Sequence, residues 1–375
     1  MCRIICDGIV CSDYYLTSQM KTYLFTLFLC CIVATAEAQT SLSISGHVKN
    51  AKGEVIEAAT VFINGSKQIT RTDQKGDFIL PNVGSGTYQL VINMIGYSSI
   101  KQNVVIQAQA VKLNITLLEK QIELSEVVIG NGSQRAQQIK TFIKNFLGES
   151  ANAKSCSIIN TDLLDFTTRQ TLLEATTNDF LIIENKSLGY RIRYLLRNFR
   201  FNGGTGITSY DGESLFENLE GTPAQQEQWK LNRRKAYDGS FMHYLRALYA
   251  NTTRKEGFMT YTITNNVEPL KLDPTPVDME QFLFTVDSNF VELKFKRRLY
   301  IFHDEKKAVV ADQATKEESI TKSMGKEGSI MRLFLENAIL DKKGSYVDYR
   351  SFYIQGYWGR KRLADQLPFE YQPGD

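Results

Sequence analysis

Between residues 42 and 117 the chain is made of short apolar–polar alternations that are interrupted by turn sequences. Residues 42–48 and 113–117 place an apolar residue or glycine at every second position, which is the period of a strand with one buried face. Asn64-Gly65 is the dipeptide most typical of a tight β-hairpin. Short strands at this spacing, without a helical pattern between them, predict a small antiparallel β-sandwich.

Three residues of this region have structural roles in predicted turns. Asp73 precedes Gly76 in a turn where an aspartate accepts backbone hydrogen bonds and a glycine supplies a positive φ. Gly96 marks a further turn, directly before Tyr97. Two alternatives stay open: Asp73 could belong to a calcium or ligand site, and Tyr97 could stack on a sugar.

The motifs of this region carry a resemblance to a known family. They are Ile44-Ser45-Gly46-His47-Val48, Ala59-Thr60-Val61, Thr72-Asp73-x-x-Gly76-x-Phe78, Gly86-Thr87-Tyr88-x-Leu90 and Ile95-Gly96-Tyr97. Together they resemble the carboxypeptidase-like regulatory domain, a prealbumin-like, seven-stranded sandwich that accompanies some metallocarboxypeptidases and precedes many bacterial outer-membrane receptors. The resemblance implies a prealbumin-like or Ig-like sandwich over residues 40–130 with an accessory role, and it carries no catalytic residues.

The N-terminal residues have the layout of an export signal. From Met20 the chain reads one lysine, an apolar run of about a dozen residues and an Ala-x-Ala ending at Ala38, which is typical of a secretory signal peptide. We therefore expect residues 1–38 to be the signal-peptide region. Within it, Met20 is the expected translation start, and cleavage follows Ala38. The protein is then exported to the periplasm, or to the outer membrane and cell surface. A retained anchor is the alternative, although the run is short of the roughly 20 residues that span a bilayer.

Cysteine usage agrees with this layout. Of the 6 cysteines, Cys156 alone lies after Ala38, so a processed chain has no internal disulfide. Cys30 is preceded by Leu29, where a lipidation signal has a small residue, so we expect soluble export rather than a lipid anchor.

The remainder of the chain predicts a larger α+β domain dominated by antiparallel strands. A Gly-Asn-Gly-Ser sequence is typical of a flexible joint, so we expect a linker at 131–135 and this domain at 136–375. The apolar period from Ile139 to Leu147 predicts a helix of about fifteen residues that ends at Gly148, and residues 223–249 are also typical of a helix. Strand patterns occupy 158–166, 171–176, 180–184, 188–198, 257–264, 282–303 and 329–358. This order of elements indicates an α+β fold rather than alternating βαβ units.

A second resemblance covers this half. Its motifs are Phe146-Leu147-Gly148-Glu149-Ser150-x-Asn152-Ala153-x-x-Cys156, Leu181-Ile182-Ile183-Glu184-Asn185-x-x-Leu188-Gly189-Tyr190 and Asn232-Arg233-x-x-Ala236-Tyr237-x-Gly239-Ser240-x-x-His243-Tyr244-Leu245-Arg246-Ala247-Leu248. They resemble a group of uncharacterised exported proteins of Bacteroidota, in which the same sandwich precedes a domain without an assigned activity. The resemblance implies a shared architecture and no reaction.

The histidines exclude a metallocarboxypeptidase centre. Such a centre needs a His-x-x-Glu pair and a distant histidine, and none of His47, His243 and His303 is followed by glutamate at the third position. We therefore predict no catalytic residue, no metal and no cofactor. A thiol–imidazole pair of Cys156 and His243 is the nucleophilic alternative, but a lone cysteine is usually a small core residue.

The densest polar cluster lies on the helical segment. Trp229, Arg233, Tyr237 and His243, together with Glu184, form the candidate ligand-binding set. Arg233 and Tyr237 share a helix face because they are four residues apart. The set would suit an acidic sugar or a phosphate. In the structural alternative the aromatic residues dock the helix on a sheet, and the arginines pair with carboxylates such as Glu184.

The net charge of +3 is too small to predict a nucleic-acid partner. The basic, aromatic run at 294–300 is typical of a strand with one solvated face rather than of a nucleic-acid site. The leading interpretation is an exported, non-enzymatic cell-envelope protein in which the sandwich is a binding or spacer module. Its partner is an envelope protein or a carbohydrate, and outer-membrane association is an added expectation.

Two other functions stay open. One is a glycosidase-like hydrolase in residues 136–375 that uses Asp162, Asp165 or Glu184. The other is a shortened outer-membrane receptor, although the strand patterns after residue 280 are too few for a large barrel.

Overall fold

The computed structural model describes residues 42–120, 132–265, 270–304, 328–348 and 350–374. The predicted signal region at 1–38 and residue 131 of the predicted linker lie outside these residues. Within them the predicted fold class is confirmed: a β-sandwich precedes a larger part built from antiparallel sheets and a few helices. The described chain from Leu42 onwards forms one compact unit.

The sandwich has eight strands rather than the seven predicted. The additional strand is only two residues long. They are β1 (Ile44–Asn50), β2 (Thr60–Ile63), β3 (Ile69–Arg71), β4 (Asp77–Leu80), β5 (Gly86–Asn93), β6 (Tyr97–Ser98), β7 (Ile100–Ile106) and β8 (Val111–Glu119). One sheet has the order β4-β1-β8-β6 and the other β3-β2-β5-β7. The antiparallel prediction needs one correction. The first and last strands, β1 and β8, run side by side in the same direction, with Ile44 beside Val111.

The core of the sandwich is formed by the inward positions of the alternation. Ile44 and Val48 on β1 are fully buried, and Ile115 on β8 is nearly so. Residues at the alternate, outward positions of the same strands, such as Lys49 and Thr116, are exposed. This follows because successive side chains of a strand point to opposite faces of its sheet.

The described residues contain thirteen further strands, five helices and three 3₁₀ turns. The strands are β9 (Cys156–Ile158), β10 (Asp165–Arg169), β11 (Leu172–Thr176), β12 (Leu181–Asn185), β13 (Tyr190–Asn202), β14 (Ile207–Asn218), β15 (Phe258–Thr262), β16 (Leu283–Thr285), β17 (Phe290–Leu293), β18 (Leu299–His303), β19 (Ser329–Leu333), β20 (Ala338–Asp341) and β21 (Phe352–Gly356). The helices are α1 (Gly132–Leu147), α2 (Ala151–Lys154), α3 (Pro223–Tyr237), α4 (Phe241–Tyr249) and α5 (Tyr357–Arg360). The 3₁₀ turns are Thr161–Leu163, Met279–Phe282 and Leu363–Asp365.

A six-stranded antiparallel sheet is the centre of the larger part. Its order is β10-β11-β13-β12-β9, and the long strand β14 pairs with β13 in a hairpin. Helix α1 packs on one face of this sheet. The Phe142 ring lies 4.7 Å from that of Phe199, and the Phe146 ring lies 5.0 Å from that of Tyr194.

The predicted linker at 131–135 is corrected by helix α1, which begins at Gly132. The first turn is held because Arg135 Nη2 donates hydrogen bonds of 3.2–3.3 Å to the carbonyl oxygens of Thr161, Asp162 and Leu164. A glycine-rich sequence is flexible when nothing packs against it, and here the guanidinium anchors it to the following loop.

Two smaller antiparallel sheets complete the larger part, with the orders β15-β18-β19-β21 and β16-β17-β20. Helix α4 packs on them through buried residues such as Tyr244, whose ring lies 5.1 Å from those of Phe258 and Trp358. The run at 294–298, predicted as part of a strand, is an irregular connection instead. It is irregular because the chain crosses there from the sheet of β17 to the sheet of β18.

The turn between β2 and β3 joins the sandwich to the larger part through backbone hydrogen bonds. The N–H of Gly65 donates to Ser214 O (2.7 Å), and the N–H of Phe216 donates to Ser66 O (2.8 Å). On the other side of the turn, Gly65 O accepts from the N–H of Phe369 (2.9 Å). The turn thus extends the edge of β14 and also holds the C-terminal segment.

A buried carboxylate adds an ionic bridge at the same junction. Glu213 on β14 is fully buried. It pairs with Lys101 of the sandwich strand β7 and, at 3.0 Å, with Arg197 Nε of β13. Burial also lowers the pKa of the Arg197 guanidinium.

Replacing Glu213 with glutamine should lower the free energy of unfolding by about 3 kcal/mol, because two partly buried cations would lose their shared anion. Glu217→Gln is the matched control on the same strand. Glu217 pairs with Arg193 in a partly exposed position, where an ion pair contributes about 1 kcal/mol or less. Urea unfolding of the three proteins measures the difference, and equal losses in both variants would contradict the buried bridge.

Gly65→Ala tests the docked turn. Gly65 has φ +73°, and an added Cβ would lie 2.5 Å from the Phe369 ring. Gly206 has φ +70° with open space around it, so Gly206→Ala measures the backbone penalty alone, about 1 kcal/mol. We expect Gly65→Ala to cost about 1–3 kcal/mol more than this control in urea unfolding. An equal loss of unfolding free energy in both variants would show that the junction accommodates the added methyl group without strain.

Candidate ligand-binding cavity

The predicted polar residues of helix α3 bind the backbone of the turn between β12 and β13. Trp229 Nε1 donates to Lys186 O (2.8 Å). Arg233 Nε donates to Leu188 O (2.8 Å), and its guanidinium lies 4.1 Å from the centre of the Tyr190 ring. Trp229 and Arg233 therefore dock the helix on the sheet.

His243 and Tyr237 lie together at the junction of α3 and α4. Their rings are stacked, with centroids 4.6 Å apart. His243 Nδ1 accepts from the N–H of Gly239 (3.1 Å), and its Nε2 lies 2.7 Å from Glu256 Oε2. Burial lowers the pKa of the His243 imidazole, and the Glu256 carboxylate acts in the opposite direction. Since both ring nitrogens are engaged within the protein, neither is free to act as a base.

The remaining predicted residues lie elsewhere. Glu184 pairs with Arg191 across β12 and β13 (2.8 Å), so it does not join His243 or Arg233. Asp73 Oδ1 accepts from the backbone N–H groups of Lys75 (2.8 Å) and Asp77 (2.9 Å), and these bonds lower the pKa of its carboxyl. Gly76 and Gly96 have φ values of +74° and +84°.

A large cavity lies where the sandwich meets the larger part, and we call it the junction cavity. Its volume is about 470 Å³, within the range of ligand sites. It is lined by the docked turn at Asn64 and Gly65, by strands β13 and β14, by the start of α4 and by the segment 358–369. None of Trp229, Arg233, Tyr237, His243 and Glu184 lines it.

Aromatic side chains form much of the wall of the junction cavity. They are Tyr194, Tyr210, Phe216, Phe241, Tyr346, Trp358 and Phe369. They are held rigidly. Phe241 begins helix α4, where the Ser240 hydroxyl caps the helix by accepting from the N–H of His243 (3.1 Å). Trp358 Nε1 donates to Gly239 O (2.8 Å), which fixes the indole against the same helix.

Asp365 brings a buried carboxylate to this cavity. It ends the 3₁₀ turn Leu363–Asp365, whose first two residues are fully packed into the core of the six-stranded sheet. Its Oδ1 accepts from Asn152 Nδ2 (3.0 Å), and Lys361 Nζ lies 3.8 Å from the same oxygen. Its Oδ2 is buried and has no hydrogen-bond partner. An acceptor of this kind is costly unless a ligand or water donates to it.

Lys101 and Asp211 supply further polar groups, with Lys101 Nζ 3.3 Å from both Asp211 oxygens. Sequence reasoning singled out none of Lys101, Asp211 and Asp365. No local motif marks them, since residues from distant parts of the chain meet there. The sequence offered one weak indication of a buried carboxylate, namely that Asp365 directly follows the apolar pair Leu363-Ala364.

The candidate catalytic groups of the sequence analysis can be placed in the described structure. Within them no three histidine, cysteine, aspartate or glutamate side chains lie together as a metal site would require. Burial, with a smaller effect from Asp365, raises the pKa of the Cys156 thiol to about 12, and its Sγ contacts Asn152 O (3.4 Å). Asp162, Asp165 and Glu184, the carboxylates of the hydrolase alternative, do not line the junction cavity.

The helices that the structure describes include none with the length and apolar composition needed to cross a bilayer.

Comparison with known proteins identifies the N-terminal sandwich. Residues 44–129 match the family model of the CarboxypepD_reg-like domain, which confirms the resemblance drawn from the motifs. A search of curated proteins finds no match to the chain.

Solved structures share parts of the fold at low identity. One is a chain of a type II cohesin–X–dockerin complex from Acetivibrio cellulolyticus, with 21% identity over 30% of this chain and 79% of that chain and a TM-score of 0.20. Others are 3-chlorocatechol 1,2-dioxygenase from Rhodococcus opacus (12%; 23% and 63%; TM-score 0.18) and a shaft pilin from Lactobacillus rhamnosus GG (18%; 23% and 50%; TM-score 0.19). At these TM-scores the similarities carry no information on what this chain does.

The buried imidazole of His243 should make stability depend on pH. Because burial lowers its pKa in the folded state, the unfolded chain takes up a proton near the ordinary pKa of about 6.5, and folded His243 does so only at lower pH. The free energy of unfolding should therefore decrease from pH 7.5 to 5.5, and less so in His243→Gln. His47→Gln, at an exposed pair with Asp77, controls for loss of an imidazole. Urea unfolding at both pH values measures this, and an unchanged pH dependence in His243→Gln would contradict it.

Proposed function

We propose that this protein is exported to the cell envelope, where it binds a carbohydrate in the junction cavity without catalysing a reaction. Export rests on the signal-peptide layout that ends at Ala38. The CarboxypepD_reg-like domain supports an accessory, non-catalytic role for the sandwich. The observation that carries the binding proposal is the aromatic-walled cavity with the unpartnered carboxylate oxygen of Asp365.

The size and wall of the cavity support a sugar ligand. A pyranose ring has apolar C–H faces that pack on aromatic rings, and the cavity presents Phe241, Tyr346 and Phe369 as partly exposed rings. A volume of about 470 Å³ accommodates one or two such rings. Rigid aromatic walls also favour binding because little side-chain freedom is lost when the ligand enters.

The polar groups of the cavity support a hydroxylated ligand over a purely apolar one. Asp365 Oδ2 needs a donor, and a sugar hydroxyl supplies one. Lys361 Nζ, 3.8 Å from Asp365, offsets part of the negative charge, which favours a neutral hydroxyl over a ligand cation at this oxygen. Gln366 lines the same cavity and is exposed, so its amide can contact the ligand from the opening.

The residues at the cavity support binding rather than hydrolysis. A glycosidase needs two carboxylates of different pKa that face one glycosidic bond. Asp211, the other carboxylate of the cavity, is already paired with Lys101. An envelope protein is the alternative partner, and a pull-down from envelope extracts with the full chain would reveal it.

A glycan array probed with the full chain, followed by calorimetry on the best glycan, tests this function. We expect binding, and Asp365→Asn should weaken it by about tenfold or more, because a hydrogen bond to a buried charged group is lost. The variant keeps an oxygen that can accept from Asn152. Asp162→Asn, an exposed position outside the cavity, is the control and should bind normally.

Recovery of the bound glycan with unchanged mass is expected. Cleavage of the glycan would overturn the non-enzymatic assignment. A silent array, together with capture of an envelope protein whose binding ignores Asp365→Asn, would overturn the carbohydrate site.

A further inference from the structure

A second, smaller cavity lies beside the junction cavity. Its volume is about 300 Å³, and it lies between the segment 82–89 of the sandwich and the segment 342–347. Four residues line both cavities, namely Asn64, Gln89, Tyr346 and Phe369. The two cavities therefore adjoin each other at these four residues. We call the second one the lysine cavity, because Lys343 lines it.

Lys343 presents an ammonium group that lacks a hydrogen-bond acceptor. Its Nζ lies 3.4 Å from the centre of the Tyr88 ring and 3.4 Å from Asp341 Oδ2, yet it forms no hydrogen bond. The side chain is 16% exposed, so water reaches it poorly. An ammonium has three N–H donors, and a buried donor without a hydrogen-bond acceptor lowers the stability of the fold.

Asp341 pairs with Lys343 by charge, but both of its oxygens already accept hydrogen bonds from other groups. Oδ1 accepts from the backbone N–H groups of Lys343 (2.9 Å) and Ser345 (3.1 Å). Oδ2 accepts from the N–H of Thr87 (3.2 Å) and from the Ser345 hydroxyl (3.0 Å). Burial lowers the pKa of the Lys343 amine, while Asp341 acts in the opposite direction. A ligand anion would favour the charged form of this amine.

The other charged groups of the lysine cavity agree with an anionic ligand. Lys342 lines it and is exposed. Glu370 is the opposing carboxylate, and it is engaged by the backbone N–H of Lys67 at 3.2–3.3 Å. The lining thus carries two lysines and one carboxylate, and the Asp341 carboxylate lies 3.4 Å from one of these lysines, Lys343.

We propose that the junction and lysine cavities form one cleft for an acidic oligosaccharide. A sugar ring occupies the junction cavity at Asp365, and a neighbouring unit places a carboxylate at Lys343. Between them the ligand passes the carboxamides of Asn64 and Gln89, which are hydrogen-bonded to each other at 2.7 Å and carry no charge. This inference rests on the proposed function and adds to it the acidic group and a length of at least two sugar units.

Calorimetry with two matched probes tests the inference. The first probe is a series of galacturonate oligomers from dimer to tetramer, and the second is the same series with each carboxylate reduced to an alcohol. We expect the full-length protein to bind the acidic tetramer about tenfold or more tightly than the reduced tetramer. This preference should weaken with added salt.

Three substitutions assign the preference to Lys343. Lys343→Met removes the charge but keeps an unbranched side chain, and it should abolish the preference. Lys343→Arg keeps the charge and should retain it. Lys112→Met, at an exposed sandwich position outside both cavities, should behave as the wild type. Thermal unfolding of each variant shows whether it is folded.

The outcomes separate the two proposals. The acidic cleft would be overturned if folded wild type and folded Lys343→Met each bind the acidic and the reduced oligomers equally well. If Asp365→Asn then loses binding of both oligomers, the carbohydrate site is still supported. Failure of both probes to bind the wild type, together with a silent glycan array, would overturn both.

Discussion

The insertion of the Asn64–Ser66 turn between strand β14 and the C-terminal segment is the constraint on which the described structure depends. Peptide groups, rather than side chains alone, make this junction: Gly65 donates to Ser214 O and accepts from the N–H of Phe369. Backbone hydrogen bonds of this kind fix both distance and direction. They also require glycine at position 65, since the Phe369 ring lies where a Cβ would be. The sandwich is therefore docked on the larger part through its own backbone.

Charge strengthens the same junction at two points. Glu213 joins Lys101 of the sandwich to Arg197 of the central sheet, and Asp341 holds the sandwich backbone at Thr87. The apolar contact between Phe62, Val91 and Leu215 lies at the same junction. Buried ion pairs contribute less to stability than apolar contacts do, but each one penalises arrangements that leave a charge unpaired. The two parts thus have one mutual orientation.

Both cavities are a consequence of how that orientation is held. Contacts at the docked turn, at Glu213 and at Asp341 leave space between them, and aromatic side chains from α4 and the C-terminal segment border it. Asp365 lines the junction cavity and Lys343 lines the lysine cavity, and each has a buried polar atom without a hydrogen-bond partner. Polar groups of this kind cost stability, and a ligand that offers a hydroxyl and a carboxylate would offset that cost.

The sequence by itself determined the sandwich, the helices α1, α3 and α4 and the antiparallel character of the rest. Strand alternation, turn dipeptides and helical periods are local patterns with a direct physical cause. It could not locate the two cavities, because their lining residues, such as Lys101 and Asp365 of one and Lys343 of the other, come from segments far apart in the chain. It also proposed Trp229, Arg233, Tyr237, His243 and Glu184 as a ligand set. Only tertiary packing decided that backbone carbonyls, Gly239, Glu256 and Arg191 take up their polar groups.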